Sequence, residues 1–319
     1  MAEIGPEIGN HRWIHPGVVL VATNLGDLDR LMPFARKIAG KSGTRLILLH
    51  VLPASASITV DAAGMPYYDQ AGAMEIAGRA LETWCKLARS RGINCEALVR
   101  EGQAAREIVS AARQFGADLL LLGTRSRGRL GQLLLGSVAR QVLRSVNLPV
   151  MTVGPEAHLP AEVSDPKETV LHATTLGETS RPSAALACQI AAGRHAKLLL
   201  LHVAPPFDEL TRKGLSRDWD VAMLHELHAL AFNCGANGCA SVEEKLAHGD
   251  PAIEILAEAA LSHASLIVLG AAHHSVFENL TRDRTVYKVL AHARCPVLTL
   301  RRPAHKPVEV ESADLAIHG

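Results

Sequence analysis

The sequence predicts an α/β fold, two doubly wound five-stranded parallel-sheet domains in tandem, and three observations predict it. The first is length: 319 residues suit two domains at roughly 150 residues each. The second is an internal repeat. Val19–Asp27 returns as Val170–Glu178, Leu46–Val51 as Leu198–Val203, Leu119–Gly123 as Leu266–Gly270, and Leu148-Pro149-Val150 as Cys295-Pro296-Val297, always at an offset between 147 and 152 residues. The repeating unit is domain-sized, which excludes a short-period solenoid. The third is an alternation, within each copy, of short aliphatic runs with helical periods.

In the first copy the aliphatic runs fall at 18–23, 45–51, 94–99, 118–123 and 148–153. Four of them are nearly all apolar, as parallel strands covered on both faces must be. Helical patterns fit 28–39, 104–115 and 137–145, and Ile76, Ala77, Ala80, Leu81, Trp84 and Leu87 trace an amphipathic stripe between the second and third runs. Right-handed crossovers then give an open sheet, whose ligands bind at the carboxyl ends of the strands near the switch in strand order. That rule singles out residues 22–26, 51–53 and 123–137. The domains expected are a tail at 1–17, a first unit at 18–153, a linker at 154–168 broken by Pro155, Pro160 and Pro166, a second unit at 169–301 and a tail at 302–319. An open sheet exposes its last strand, so Leu148–Val153 and Cys295–Leu300 are expected to pair as an intramolecular pseudo-dimer. Homodimerisation is left open.

Composition removes several function classes. Lys plus Arg total 33 against 32 for Asp plus Glu, a net charge of +1, without the basic excess of a nucleic-acid binder. Aromatics are 3%, too few for a base-stacking platform. No apolar run approaches the roughly 20 residues that span a bilayer, and the amino terminus lacks the pattern of a secretory signal. Six scattered cysteines without a CxxC read as free thiols in a reducing cytoplasm.

Two motifs are decoys. Ala35–Ser42 nearly matches a P-loop, but its Gly-Lys-Ser follows a helical pattern and precedes a strand, so Gly40 reads as a helix-end residue. No GxGxxG follows the first strand. The loop after the fourth strand is more informative. Gly123-Thr-Arg125-Ser126-Arg127-Gly128-Arg129 leaves an apolar strand, and Gly136-Ser137 opens a helix, with Ser137 expected as N-cap. Small residues, three arginines and free helix-start amides suit a phosphate; a solvated basic loop is the plainer alternative. His225 and His228, and His273-His274, lack an identifiable third metal ligand, so no metal is expected. Cys234 and Cys239 read as plain thiols. His50 and His202 recur at equivalent positions, where either would cap the carboxyl edge of the sheet by hydrogen bonding. No nucleophile elbow, HExxH or kinase loop is present, so no catalytic residue is assigned; Asp27 and Glu101 are the nearest carboxylates by position, each read as a helix-start or solvated group.

On these residues the chain resembles a tandem universal stress protein. Gly123, Ser126, nine residues, then Gly136-Ser137 match that family's Gly-x-x-Gly, nine residues, Gly-Ser/Thr, with Ser126 in the second glycine position. Ala22-Thr23-Asn24 stands where the family has Ala-Thr-Asp or Pro-Thr-Asp, and Leu49-His50-Val51 matches its Leu-His-Val. The resemblance implies a cytoplasmic, ATP-binding stress-response or regulatory protein, with Mg2+ as an optional companion and an unidentified protein partner. Ala22, Thr23, Asn24 and Val51 would line the adenosine side; Gly123, Ser126, Arg127, Gly136, Ser137 and Val138 would line the phosphate side. In the second copy the corresponding residues are Gly270-Ala-Ala-His273-His274 and, at the expected helix start, Asp283-Arg284. A carboxylate there repels phosphate, so ATP is expected in the first domain only. A scaffold that binds no nucleotide and a slow ATPase remain the alternatives.

Overall fold

The computed structural model describes residues 15–40, 43–53, 58–60, 66–124, 135–158, 168–177, 180–206, 217–271 and 280–301. The first half runs β1 (Val18–Thr23), α1 (Leu28–Ala39), β2 (Arg45–Leu52), β3 (Ile58–Val60), β4 (Pro66–Tyr68), α2 (Gln70–Arg89), β5 (Cys95–Glu101), α3 (Ala104–Gln114), β6 (Leu119–Gly123), α4 (Ser137–Ser145) and β7 (Val150–Val153). The second runs β8 (Thr169–Thr174), α5 (Arg181–Arg194), β9 (Lys197–Ala204), α6 (Arg217–Ala236), β10 (Val242–His248), α7 (Pro251–Leu261), β11 (Ala264–Ala271), α8 (Leu280–His292) and β12 (Val297–Arg301). The short antiparallel pair β3–β4 has no counterpart in the sequence reading.

The two five-stranded units join into one ten-stranded sheet, ordered β10-β9-β8-β11-β12-β7-β6-β1-β2-β5. Every neighbouring pair is parallel except β7–β12, which is antiparallel. The join is reciprocal. Val297 pairs with Thr152 and Thr299 with Val150, while Thr152 Oγ1 donates to the Val297 carbonyl and Thr299 Oγ1 to the Val150 carbonyl, each at 3.2 Å. Equivalent residues of the two copies thus exchange equivalent bonds, as a two-fold interface requires. The edges that each unit would expose alone are consumed by the other.

Helices cover both faces. Alternate residues of β1 divide between the layers: Val19 and Val21 pack with α1, α2, α5 and α6, whereas Leu20 and Ala22 pack with α3, α4, α7 and α8. This two-sided burial is why the strands are nearly all aliphatic. In α2 the buried stripe is Ala77, Leu81, Cys85 and Ala88, and the expected Ile76 and Leu87 are exposed. Small Ala and Cys side chains let α2 sit close to the sheet, which turns the larger residues outward. Gly40 ends α1 as its C-cap, donating its amide to the Arg36 carbonyl at 2.8 Å. The Gly-Lys-Ser therefore follows a helix rather than opening one.

Candidate functional site

Strand order reverses between β1 and β6, so their carboxyl ends mark the switch point of the first unit. The turn leaving β1 is held from within. Leu25 is in the left-handed region (φ 71°), and its amide donates to Thr23 Oγ1 at 2.9 Å. Thr23 Oγ1 in turn donates to Asp27 Oδ1 at 2.5 Å, and the Asn24 amide adds a bond to the same oxygen at 3.3 Å. Asn24 Oδ1 accepts from the Gly26 amide at 2.9 Å, so this asparagine closes a turn where a carboxylate stands in the family pattern. His50, at the end of β2, places Nδ1 2.9 Å from the Thr23 carbonyl, capping the sheet edge. Ala22, Thr23 and Val51 are buried beneath this turn and Asn24 is exposed above it.

Of the two readings expected for Asp27, a helix-start or a solvated carboxylate, its position matches the first. It stands at the start of α1 yet is buried, and its side chain serves the turn rather than the helix amides. Arg30 lies beside it, with Nη2 4.0 Å from Asp27 Oδ2; its Nε and Nη2 are buried without a hydrogen-bond partner. These two groups pack against Gly123. A Cβ added there would lie 2.6 Å from Asp27 Oδ2, so glycine is required by packing. Gly270 repeats the device, since its Cβ would lie 2.7 Å from Ser183 Oγ. The first glycine of the phosphate-loop pattern therefore has a structural reason in both copies.

The loop from β6 to α4 starts and ends at one point, because the Gly136 amide donates to the Thr124 carbonyl at 3.1 Å. Gly136, not Ser137, is the N-cap of α4, and no side chain caps the helix. Among the described residues no side chain meets its first amides, the groups that bind anions at helix starts, and Ser137 and Val138 are exposed beside them. Ser126 and Arg127 lie outside the described residues, as do Arg125 and Arg129.

The second half repeats the frame and changes its content. Leu176 is left-handed (φ 61°) with its amide on Thr174 Oγ1 at 3.1 Å, but Thr174 donates to Ser180 Oγ, a neutral group in the role of Asp27. His202 Nδ1 sits 2.9 Å from the Thr174 carbonyl, matching His50. Unlike His50 it is buried, with the Trp219 ring of α6 centred 6.2 Å away, and burial pushes its pKa down. Helix α8 begins at Leu280, so Asp283 stands in the first turn rather than at the helix start. His273 and His274 lie outside the described residues.

Among the described residues no group of three or more His, Cys, Asp or Glu is arranged to hold a metal. His228 instead faces Glu244 Oε1 at 3.0 Å. The thiols gather in ways that spacing did not show. Cys85 and Cys95 bring their sulfurs to 3.0 Å, while Cys188 contacts the Cys234 carbonyl and accepts Cys239 on its own carbonyl. The signal available was placement: Cys85 on the inner stripe of α2 and Cys95 opening β5. No helix of the described residues is long and apolar enough to cross a membrane.

Comparison with known proteins follows this geometry. The Universal stress protein family matches at residues 17–154 and again at 167–301. A universal stress protein of Methanocaldococcus jannaschii is 38% identical over 74 residues, covering 23% of this chain and 44% of that protein. One from Mycolicibacterium smegmatis is 24% identical over 304 residues, covering 89% of this chain and 97% of that protein. The crystal structure of a universal stress protein from Archaeoglobus fulgidus superposes with a TM-score of 0.71 at 19% identity, over 93% of this chain and all of that one. Another from Archaeoglobus fulgidus, solved in complex with dAMP, aligns to 43% of this chain and 98% of its own at 21% identity, with a TM-score of 0.32. With both halves matched, the chain belongs to the universal stress protein family, as two units in tandem.

Proposed function

We propose that this is an ATP-binding regulatory protein in which the first unit alone holds nucleotide. The observation that carries the reading is the start of α4. A helix with no side-chain cap among the described residues opens at Gly136, tied to the exit of β6 and placed beside the switch point where sheets of this order bind ligands. Adenosine would rest on Ala22, Thr23, Asn24 and Val51. The phosphates would meet Gly123, Ser126, Arg127 and the amides of Gly136, Ser137 and Val138, with Mg2+ as a companion ion to the phosphates. In the second unit the Trp219 ring lies 6.2 Å from the His202 ring near the carboxyl end of β9, and the first turn of α8 includes the acidic residue Asp283. Both features oppose a second nucleotide. Regulation fits better than hydrolysis, since the buried carboxylate of the site, Asp27, is engaged by Thr23 and Asn24.

Calorimetry on the full chain tests this. One ATP per chain is expected, and Gly136→Asp should weaken it by at least about thirtyfold, about 2 kcal/mol, by adding a carboxylate at the phosphate position. Unchanged affinity in a variant with native circular dichroism would remove α4 from the site. A scaffold that binds no nucleotide is the second reading, favoured by Asn24 being consumed in its own turn. Mass spectrometry of small molecules released from denatured protein separates the two, since only the first predicts co-purified nucleotide.

A further inference from the structure

Where the two halves meet, a cavity of about 240 Å³ lies between α1 and α5, on the face of the sheet that these helices share. It runs along the join from Leu119 and Pro149, at the amino ends of β6 and β7, to Pro296, whose strand β12 the antiparallel pairing starts at the other end of the sheet. Its walls come from both copies: Phe34 and Ile38 of α1, Leu186 and Ile190 of α5, and Met151 and Leu298 of the joining strands. A space of that size between aliphatic walls forfeits the contacts a packed interface would gain. A cavity of about 150 Å³ already accepts benzene, so this one admits an acyl chain of about six to ten carbons.

One end is charged, and the charge does not balance. Glu168 Oε1 lies 3.0 Å from Lys37 Nζ and 3.7 Å from Arg194 Nη1, so two cations share one carboxylate oxygen. Burial works against the charge of Glu168, and Arg194 with Lys37 nevertheless hold its carboxyl below the usual value. Burial also pushes the Arg194 guanidinium down, against the attraction of Glu168. An apolar slot closed at one end by a net positive charge is complementary to a molecule with an aliphatic chain and a single anionic head.

We propose that this cavity binds a medium-chain carboxylate, its head at Lys37 and Arg194 and its chain between Ile38 and Ile190. The site contains no residue of the nucleotide site, so it stands whether or not ATP binds. A ligand there would touch both units at their join, and its occupancy would be felt through β7 and β12.

Calorimetry with decanoate on the full chain, below its micellar concentration, is the test. The expected result is one decanoate per chain, no measurable decylammonium binding, and the same decanoate affinity with saturating ATP present. Ile190→Trp, which fills the slot, and Lys37→Gln, which removes a cation at a half-exposed position, should each weaken decanoate at least tenfold. Lys37→Gln keeps the test decisive should the tryptophan variant fail to fold. The proposal is overturned by no decanoate binding, by several decanoates per chain, by equal affinity for decylammonium, or by undiminished affinity in folded Lys37→Gln.

Discussion

His172 stands in the middle of β8 at the position that Val21 holds in β1. It is fully buried; Nδ1 lies 3.0 Å from the Val268 carbonyl and Nε2 has no partner. Burial pushes its pKa down from 6.5 to about 4. The folded protein therefore binds fewer protons than the unfolded chain between those values, and stability must fall as pH drops from 6.5 toward 4. Below that window the loss should reach about 3 kcal/mol from this side chain. Denaturant titrations at pH 7.5 and 4 should show that extra acid loss in the wild type and not in His172→Leu. Equal acid loss in both would mean the histidine protonates without cost. Gly123 and Gly270 make the second residue-scale case. Alanine at either forces a Cβ against Asp27 or Ser183, at 2.6 and 2.7 Å. Each should cost about 1–3 kcal/mol as an overpacked contact, and thermal melts should show similar losses for both, although only Gly123 belongs to the proposed nucleotide site. An unchanged melt in either variant would mean that glycine is not a packing requirement at that position. The sequence shows Gly123 as part of a loop pattern; only coordinates show a carboxylate pressed on its Cα.

Among the elements, the strands were the most legible. Burial on both faces demands aliphatic runs, so β1, α1 and α4 lie where period and composition put them, at 18–23, 28–39 and 137–145. The stripe on α2 was misphased because its inner face is built of Ala77, Cys85 and Ala88 around Leu81, while Ile76 and Leu87 face out. Bulk is a poor guide where a helix must approach a sheet closely. The contrast is measurable: Leu81→Ala should cost about 2–5 kcal/mol in denaturant unfolding, whereas Ile76→Ala should stay within about 0.5 kcal/mol. Comparable losses would show that the outward face is covered. The pair β3–β4 was missed because three-residue strands between Pro- and Gly-rich stretches carry no period. Helix α8, expected to open at Asp283, starts at Leu280 because N-cap chemistry alone does not fix a boundary when the preceding residues are also helix-compatible. Near the candidate site, α4 runs from 137 to 145 as its period put it, but Gly136 takes the N-cap place expected of Ser137. The roles of Asp27, Arg30 and Trp219 do not follow from the sequence, since each depends on contact with another element.

For the whole molecule, the repeat foretold the decisive feature. Two copies of an open sheet leave two similar edges, and the chain joins them through β7 and β12. Glu168, just ahead of β8, adds an ion pair to Lys37 of the other unit, and Arg144 of α4 donates to Tyr287 Oη of α8 at 3.0 Å. Amides of 150–153 and 297–299 should accordingly exchange with solvent as slowly as those of the central β1 and β8; exchange as fast as at the outer strands β5 and β10 would mean that the join opens readily. The same duplication frames the proposal that two units of one fold have divided their labour and only the first kept the nucleotide. Photolabelling the full chain with 8-azido-ATP, followed by peptide mapping, tests it most directly. One label per chain is expected, competed by ATP and confined to residues 17–154; ATP-competed label on residues 167–301 would contradict the division of labour.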